Sequence, residues 1–319
     1  SSNNTVFADS EGNIAYFHSN FIPRRNSAFD WSRPVDGSDP ETEWQGVHSL
    51  EETVGSLNPP NGWIQNTNNW PYSVAGEYSP KREDFPPYMD VSWENPRGVH
   101  AIRVLENTTD FTIDSLIDAA YDSYLTAFDI LIPSLLTAYD ETPASDPLKV
   151  ELADQVEALT QWDRRSSESS EATSLAVFWG TELMMRARPL AREARISVYD
   201  YMANRTSAAE RLEALEVASK RLEDDFGSWR MPWGEIDRVQ RITGDIVQPF
   251  DDDQPSRAVG FASGWWGSLA AFGARQSGDW KKLNGTRGNS FVAVVEFGEQ
   301  VRAKAVTAGG QSGDVNSPH

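Results

Sequence analysis

With 319 residues, 39% of them hydrophobic and twelve of them tryptophan, the chain can bury a core, and a disordered composition is excluded. Its 48 acidic against 28 basic residues, a net charge of −20, argue against nucleic acid and against a membrane surface as partner, since both need clustered Lys and Arg. Cysteine is absent, so disulfides, thiolate metal sites and a Cys nucleophile are excluded together.

Three zones follow one another: 1–109 with strands and loops, 110–242 helical, and 243–319 with returning strands and loops. The opening text "SSNNTVFADSEGN" has no charged n-region and no apolar h-region, so no signal peptide is expected, and no apolar run is long enough to span a bilayer. "NTVFA" and "IAYFH" bracket a turn at Gly12 and predict a hairpin. "GWIQN" predicts a further strand, ending in the amide cluster Gln65 to Asn69.

The helical zone carries explicit start and stop signals. In "SDPLKVELADQVEALTQWD", Ser145 or Asp146 caps, Pro147 opens the helix, and Leu148, Leu152, Val156 and Leu159 share a face. "TSAAERLEALEVASKRLEDDFG" opens with a capping box, Ser207 with Glu210, and stops at Gly227. "DFTIDSLIDAAYDSYLTAFDILIPSLLTAYDE" is expected to kink or split at Pro133, and "ATSLAVFWGTELMMRAR" predicts another helix. "SFVAVVEFG" and "VRAKAVTAGG" then read as paired strands around Gly298. Strands, helices and strands in that order indicate an α+β fold with an inserted helical region.

The common catalytic signatures for zinc proteases, P-loops, dinucleotide sites and nucleophile elbows are missing; "GGQSG" at 309–313 reads as a glycine turn. His18, His48, His100 and His319 have no metal-ligand spacing to one another. Asp251 to Asp253 read first as a solvated acidic turn rather than a calcium loop, and Trp265 with Trp266 read first as core. Arg97 and Arg103 flank "GVHAI", and their spacing alone favours salt bridges. Ser1 invites the idea of an N-terminal nucleophile whose α-amine is its own base.

Read in order, "NNTVFADSEGNIAYFHSNFIPRR", "NPPNGWIQNTNNWP", "ENPRGVHAIRVL", "WGEIDRVQRI", "RGNSFVAVVEFG" and "GGQSGD" resemble the β-subunit of the penicillin acylase family of N-terminal-nucleophile hydrolases. The first hundred residues carry most of the resemblance and the helical zone little. It implies a four-layer αββα sandwich with the helical middle packed outside, and hydrolysis of an N-acyl amide such as a penicillin, an acyl-homoserine lactone or a lipopeptide.

Residue by residue, the resemblance makes Asn68 the oxyanion donor and Arg97 its support, with Arg103 matching a second arginine six positions on. It places the nucleophilic Ser upstream of "NTVFAD", so Ser1 is not that residue, and the α-subunit and the remainder of the β-subunit become the expected partners, from one precursor. No cofactor is expected for the chemistry. A structural calcium is the one metal the family suggests, with Asp84 in "KREDFPP" the nearest carboxylate. A periplasmic or secreted location is implied by the family only. A noncatalytic binding or scaffold protein that retains the fold is the alternative.

Overall fold

Asp9 explains why the chain turns where it first does. Its carboxylate accepts from the Glu11 and Asn13 backbone N–H groups and from the Asn13 side chain, each at 2.9 Å. Gly12, at φ +85°, supplies the left-handed residue that such a turn requires. The result is the expected hairpin, β1 (Thr5–Ala8) against β2 (Ile14–Phe17), antiparallel with Ala8 opposite Ile14. The computed structural model describes residues 3–18, 21–245, 247–276, 278–308, 312, 314, 316 and 317. Ser1, His319 and all of the 309–313 glycine segment except Ser312 therefore lie outside the described residues.

The chain divides into two compact units, Ser1–Ser115 with Val295–Ala303, and Leu116–Val294 with Lys304–His319. In the first, β2 is the central strand, pairing on its other side with β3 (Gly55–Leu57), so that Ala15 faces Leu57. Tyr16, buried like its neighbour Ala15, forms a small core with Val74, Ala75 and the partly buried Ile64. Burial pushes the Tyr16 phenol pKa up, and the nearby Asp90 carboxylate adds to this.

The "GWIQN" strand does not form. That segment joins no strand, and its backbone meets the following turn instead: the Gln65 N–H donates to the Val74 carbonyl at 2.9 Å and its side chain to the Ser73 carbonyl at 3.0 Å. Further on, α1 spans Pro96–Leu105, with Asn95 as N-cap accepting from the Gly98 N–H and Pro96 at the first position. The helix α2 spans Ile113–Ala120.

The second unit is built on helices: α3 (Phe128–Glu141), α4 (Pro147–Glu151), α5 (Ala153–Gln161), α6 (Glu171–Ala194), α7 (Val198–Asn204) and α8 (Ala208–Phe226). The Asp146 cap with Pro147, and the Ser207–Glu210 box with Gly227 at the stop, are as expected. Leu152, Val156 and Leu159 are buried together, though the helix is broken at Leu152.

The other long prediction divides in a different place. Pro133 sits inside α3 without ending it, and the gap falls between Ala120 and Phe128. There Tyr124 forms a β-bridge with Arg165, and Leu125 donates to the Arg164 carbonyl at 2.9 Å. A long-range pairing, invisible to local pattern, consumes the backbone groups that a helix would have used.

The core of this unit lies between α6, α8, α3 and α7. Trp179 is fully buried and still satisfies its indole N–H on the Arg211 carbonyl at 3.1 Å. Trp266 stacks on Phe128 with ring centroids 5.2 Å apart. It approaches α6 so closely that a Cβ on Gly180 would lie 2.7 Å from its ring. That ring is buried and stacked on Phe128, so displacing it disturbs the core packing. Gly180→Ala is therefore expected to cost about 1–3 kcal/mol of stability by overpacking, despite the better helix propensity of alanine, as a denaturant melt of the two proteins would show.

A one-turn helix α9 (Trp233–Ile236) leads into β4 (Asp237–Val239), so strand structure begins before the third zone expected from sequence. The sheet order is β5-β4-β7-β6, with β5 (Arg257–Ala258), β6 (Phe272–Arg275) and β7 (Leu283–Gly288). Here β4 runs parallel to β7, with Asp237 opposite Leu283, while β6 and β7 are antiparallel with an irregularity between Gly273 and Ala274. The paired strands expected near Gly298 are present as β8 (Phe291–Glu296) and β9 (Arg302–Thr307). The molecule is thus mixed α and β, with a helical middle. Among the described residues no helix is long and apolar enough to cross a membrane.

Candidate active site

The amide cluster is a loop held by side-chain hydrogen bonds, not by a ladder. Asn66 Oδ1 accepts from Asn4 Nδ2 and from the Asn68 backbone N–H, both at 3.2 Å. Asn69 Oδ1 accepts from the Thr67 N–H at 3.0 Å. Asn68, between them, has φ +60°, a conformation that Asn tolerates better than most residues. Its side chain is exposed at the crest of the loop.

Behind the loop lies a carboxylate that the sequence reading did not single out. Glu94 is half-buried and accepts four hydrogen bonds: from Asn69 Nδ2 and the Asn95 N–H at 2.8 Å, from Trp70 Nε1 at 3.2 Å, and from Ser73 Oγ. An ionised carboxylate is an acceptor only, and four donors match its lone pairs. The hub forms because Glu94 immediately precedes the Asn95 cap of α1, and because Gly98 leaves room. A Cβ at Gly98 would lie 2.1 Å from Glu94 Oε1 and 2.5 Å from Asn69 Nδ2.

The same cap places Arg97. In the first turn of α1, its Nη2 donates to the Thr67 carbonyl at 2.5 Å and to Asn68 Oδ1 at 3.2 Å. So Asn68 and Arg97 are brought together, 29 positions apart in sequence, and the arginine does more than its spacing alone suggested. With Oδ1 engaged by a cation, the Asn68 Nδ2 group is turned away from it and donates to no other group among the described residues. That is a neutral donor with a fixed direction. Arg103 lies in the last turn of α1, where it is exposed and outside the loop.

The other singled-out residues are elsewhere. Asp84 is exposed in a 3-10 turn, Arg82–Asp84. Among the described residues no group of three or more His, Cys, Asp or Glu side chains is arranged to hold a metal. Asp252 spends Oδ2 on the backbone N–H groups of Lys281 and Lys282. His18 is buried between Tyr16 and Asp90, each at 3.3 Å. Burial raises the Asp90 pKa, but the His18 and Ser92 hydrogen bonds outweigh that and hold it below the ordinary carboxylate value. Trp265 and Trp266 divide, the second buried and the first 44% exposed.

An amide donor fixed by an arginine at a polar loop is the kind of arrangement that stabilises a developing oxyanion. The whole of the chain, residues 1–319, matches the family model described as penicillin amidase, and the chain belongs to that family. Over 165 residues it is 30% identical to penicillin G acylase of Escherichia coli, a stretch covering 50% of this chain and 18% of that protein. It is also similar to the structure of a thermostable penicillin G acylase from Alcaligenes faecalis, with a TM-score of 0.48 and 20% identity, covering 70% of this chain and 47% of that one. The chain thus spans less than half the length of either relative.

Proposed function

We propose that this chain is the β-subunit portion of an amide hydrolase that cleaves an N-acyl amide through an acyl-enzyme. The nucleophile in this reading is an N-terminal Ser outside residues 1–319, and Ser1 is not that residue. Its hydroxyl oxygen adds to the amide carbonyl carbon while its α-amine takes the proton. The carbonyl oxygen becomes an oxyanion, received by Asn68 Nδ2. Collapse breaks the C–N bond, the amine leaves with the proton, and water releases the acid from the serine ester by the same steps.

The observation that supports this most is the Arg97–Asn68 contact at 3.2 Å. It engages the oxygen of the amide and leaves its N–H donors for substrate. Arg97 also fixes the Thr67 carbonyl, so one guanidinium orders two parts of the loop. Partner segments in this reading are the α-subunit and the rest of the β-subunit, the fold of the assembled enzyme is the four-layer αββα sandwich, and the location is periplasmic or secreted.

The test is a panel of acyl amides (penicillins, acyl-homoserine lactones and lipopeptides) offered to the full-length, processed protein. Release of free acid and amine from at least one class supports the reading. No hydrolysis by a correctly processed, folded protein removes it.

A further inference from the structure

In the helical unit, apart from the Asn68 loop, a cavity of about 550 Å³ opens beside α6 and the β4–β7 sheet. Its lining is largely apolar and aromatic, including Trp233, Trp265, Trp266 and Phe272. Three charged side chains join them: Arg188, Arg287 and Asp237.

The two arginines are both exposed, and neither has a carboxylate partner among the described residues. In a chain with twenty more acidic than basic residues, two unneutralised guanidiniums on one cavity stand out against the background charge. Each is also held in place. Arg188 lies over the Trp265 ring, 4.7 Å from its centroid, and that tryptophan is fixed by Tyr199 donating to its carbonyl at 2.6 Å. Arg287 lies flat across the neighbouring strand because its partner there is Gly273, where a Cβ would meet the arginine Cγ at 2.6 Å.

Asp237 is paired with Leu283 across the sheet, and both side chains reach the cavity lining. It is 1% exposed, and neither carboxyl oxygen has a hydrogen-bond partner. Desolvation pushes its pKa up to about 9, so at neutral pH it presents no negative charge to cancel the arginines.

An apolar, ring-lined cavity with a few convergent polar groups is the usual form of a small-molecule site, and its charge here is positive. We propose that this cavity binds an organic carboxylate with an aromatic or short acyl body, the anion taken by Arg188 and Arg287 and the body packed among the tryptophans. The acid released by the reaction proposed above is of this class, but the inference stands on the cavity residues alone.

Calorimetry on the full-length protein tests it with three probes of one shape: naphthylacetate, its neutral amide, and naphthylmethylammonium. The carboxylate is expected to bind saturably, the amide about tenfold more weakly, and the cation more weakly still. Arg188→Ala and Arg287→Ala are surface changes that leave the melting temperature in place, and each is expected to weaken the carboxylate about tenfold. The Arg188→Ala effect should be the same in an Asn68→Ala background, which separates this site from the oxyanion loop. Absence of saturable binding, equal binding of amide and carboxylate, preference for the cation, or unchanged affinity in both arginine variants overturns the proposal.

Discussion

On the mechanism proposed above, Asn68→Asp in the full-length, processed protein is expected to lower kcat for an acyl amide by about 10²- to 10³-fold, the usual loss when one oxyanion donor is removed. KM should change little, because the interaction is made only as negative charge develops. Aspartate is the informative substitution. Alanine at φ +60° also introduces backbone strain of about 1 kcal/mol, so a loss of rate there would mix two effects. Aspartate tolerates that conformation, keeps the shape, and strengthens the contact with Arg97. What it removes is the N–H donor, replaced by an oxygen that repels the oxyanion. Asn68→Ala should then show a similar loss of kcat with a small loss of stability. If Asn68→Asp retains wild-type kcat in a folded, processed enzyme, the amide has no part in the chemistry.

The buried acid in β4 makes a separate, pH-dependent claim. Asp237 holds its proton in the folded state up to about pH 9, whereas in the unfolded chain it ionises near pH 4. The folded state therefore binds the extra proton, and its contribution to stability is full below pH 4 and lost as pH rises towards 9. Asn cannot ionise, so Asp237→Asn is expected to be more stable than the wild type at pH 8, by roughly 1–3 kcal/mol. The difference should shrink as pH falls to 4. Thermal melts across that range check the sign, and a constant difference would show that Asp237 does not titrate with folding.

What could be read in the sequence was mostly local. The Asp9 turn, the Asp146–Pro147 start and the Ser207–Glu210 box each satisfy backbone groups within four residues, so their signals lie side by side in the text. The Asn68–Arg97 pair was legible only through resemblance, since spacing alone pointed Arg97 to a salt bridge. Three features needed the tertiary structure. "GWIQN" has strand composition, but its Gln65 N–H is used by the Val74 turn. The helix gap before Phe128 is set by Arg164 and Arg165, some forty residues on. Asp237 sits in text read with the helical zone, "EIDRV", and only the tertiary structure shows it in a strand and buried. Glu94 could have been found: a glutamate just before an Asn-Pro helix start, with glycine three residues after the Asn, leaves space for a side chain folded back over the first turn.

That space is the basis of the second large effect on rate. Gly98→Ala is expected to lower kcat about 10²-fold, although Gly98 touches no substrate. Its new methyl group would lie 2.1 Å from Glu94 Oε1, well inside contact distance, and the neighbouring groups cannot all yield. Glu94 would have to leave Asn69, Trp70, Ser73 or the Asn95 N–H, and each leaves a donor behind without its acceptor. The loop that carries Asn68 would shift with Asn69, its sequence neighbour, and a displacement of about 1 Å in a positioning group is enough for such a loss. Glu94→Gln separates geometry from charge. Its size is unchanged, but one acceptor oxygen becomes an NH₂ facing existing donors, so it too should lose rate, by about tenfold or more, with KM little altered. A merely structural role would lower the melting temperature and leave kcat of the folded fraction intact. Loss of kcat at temperatures where both variants are fully folded would instead show that the Glu94 hub sets the direction in which Asn68 points.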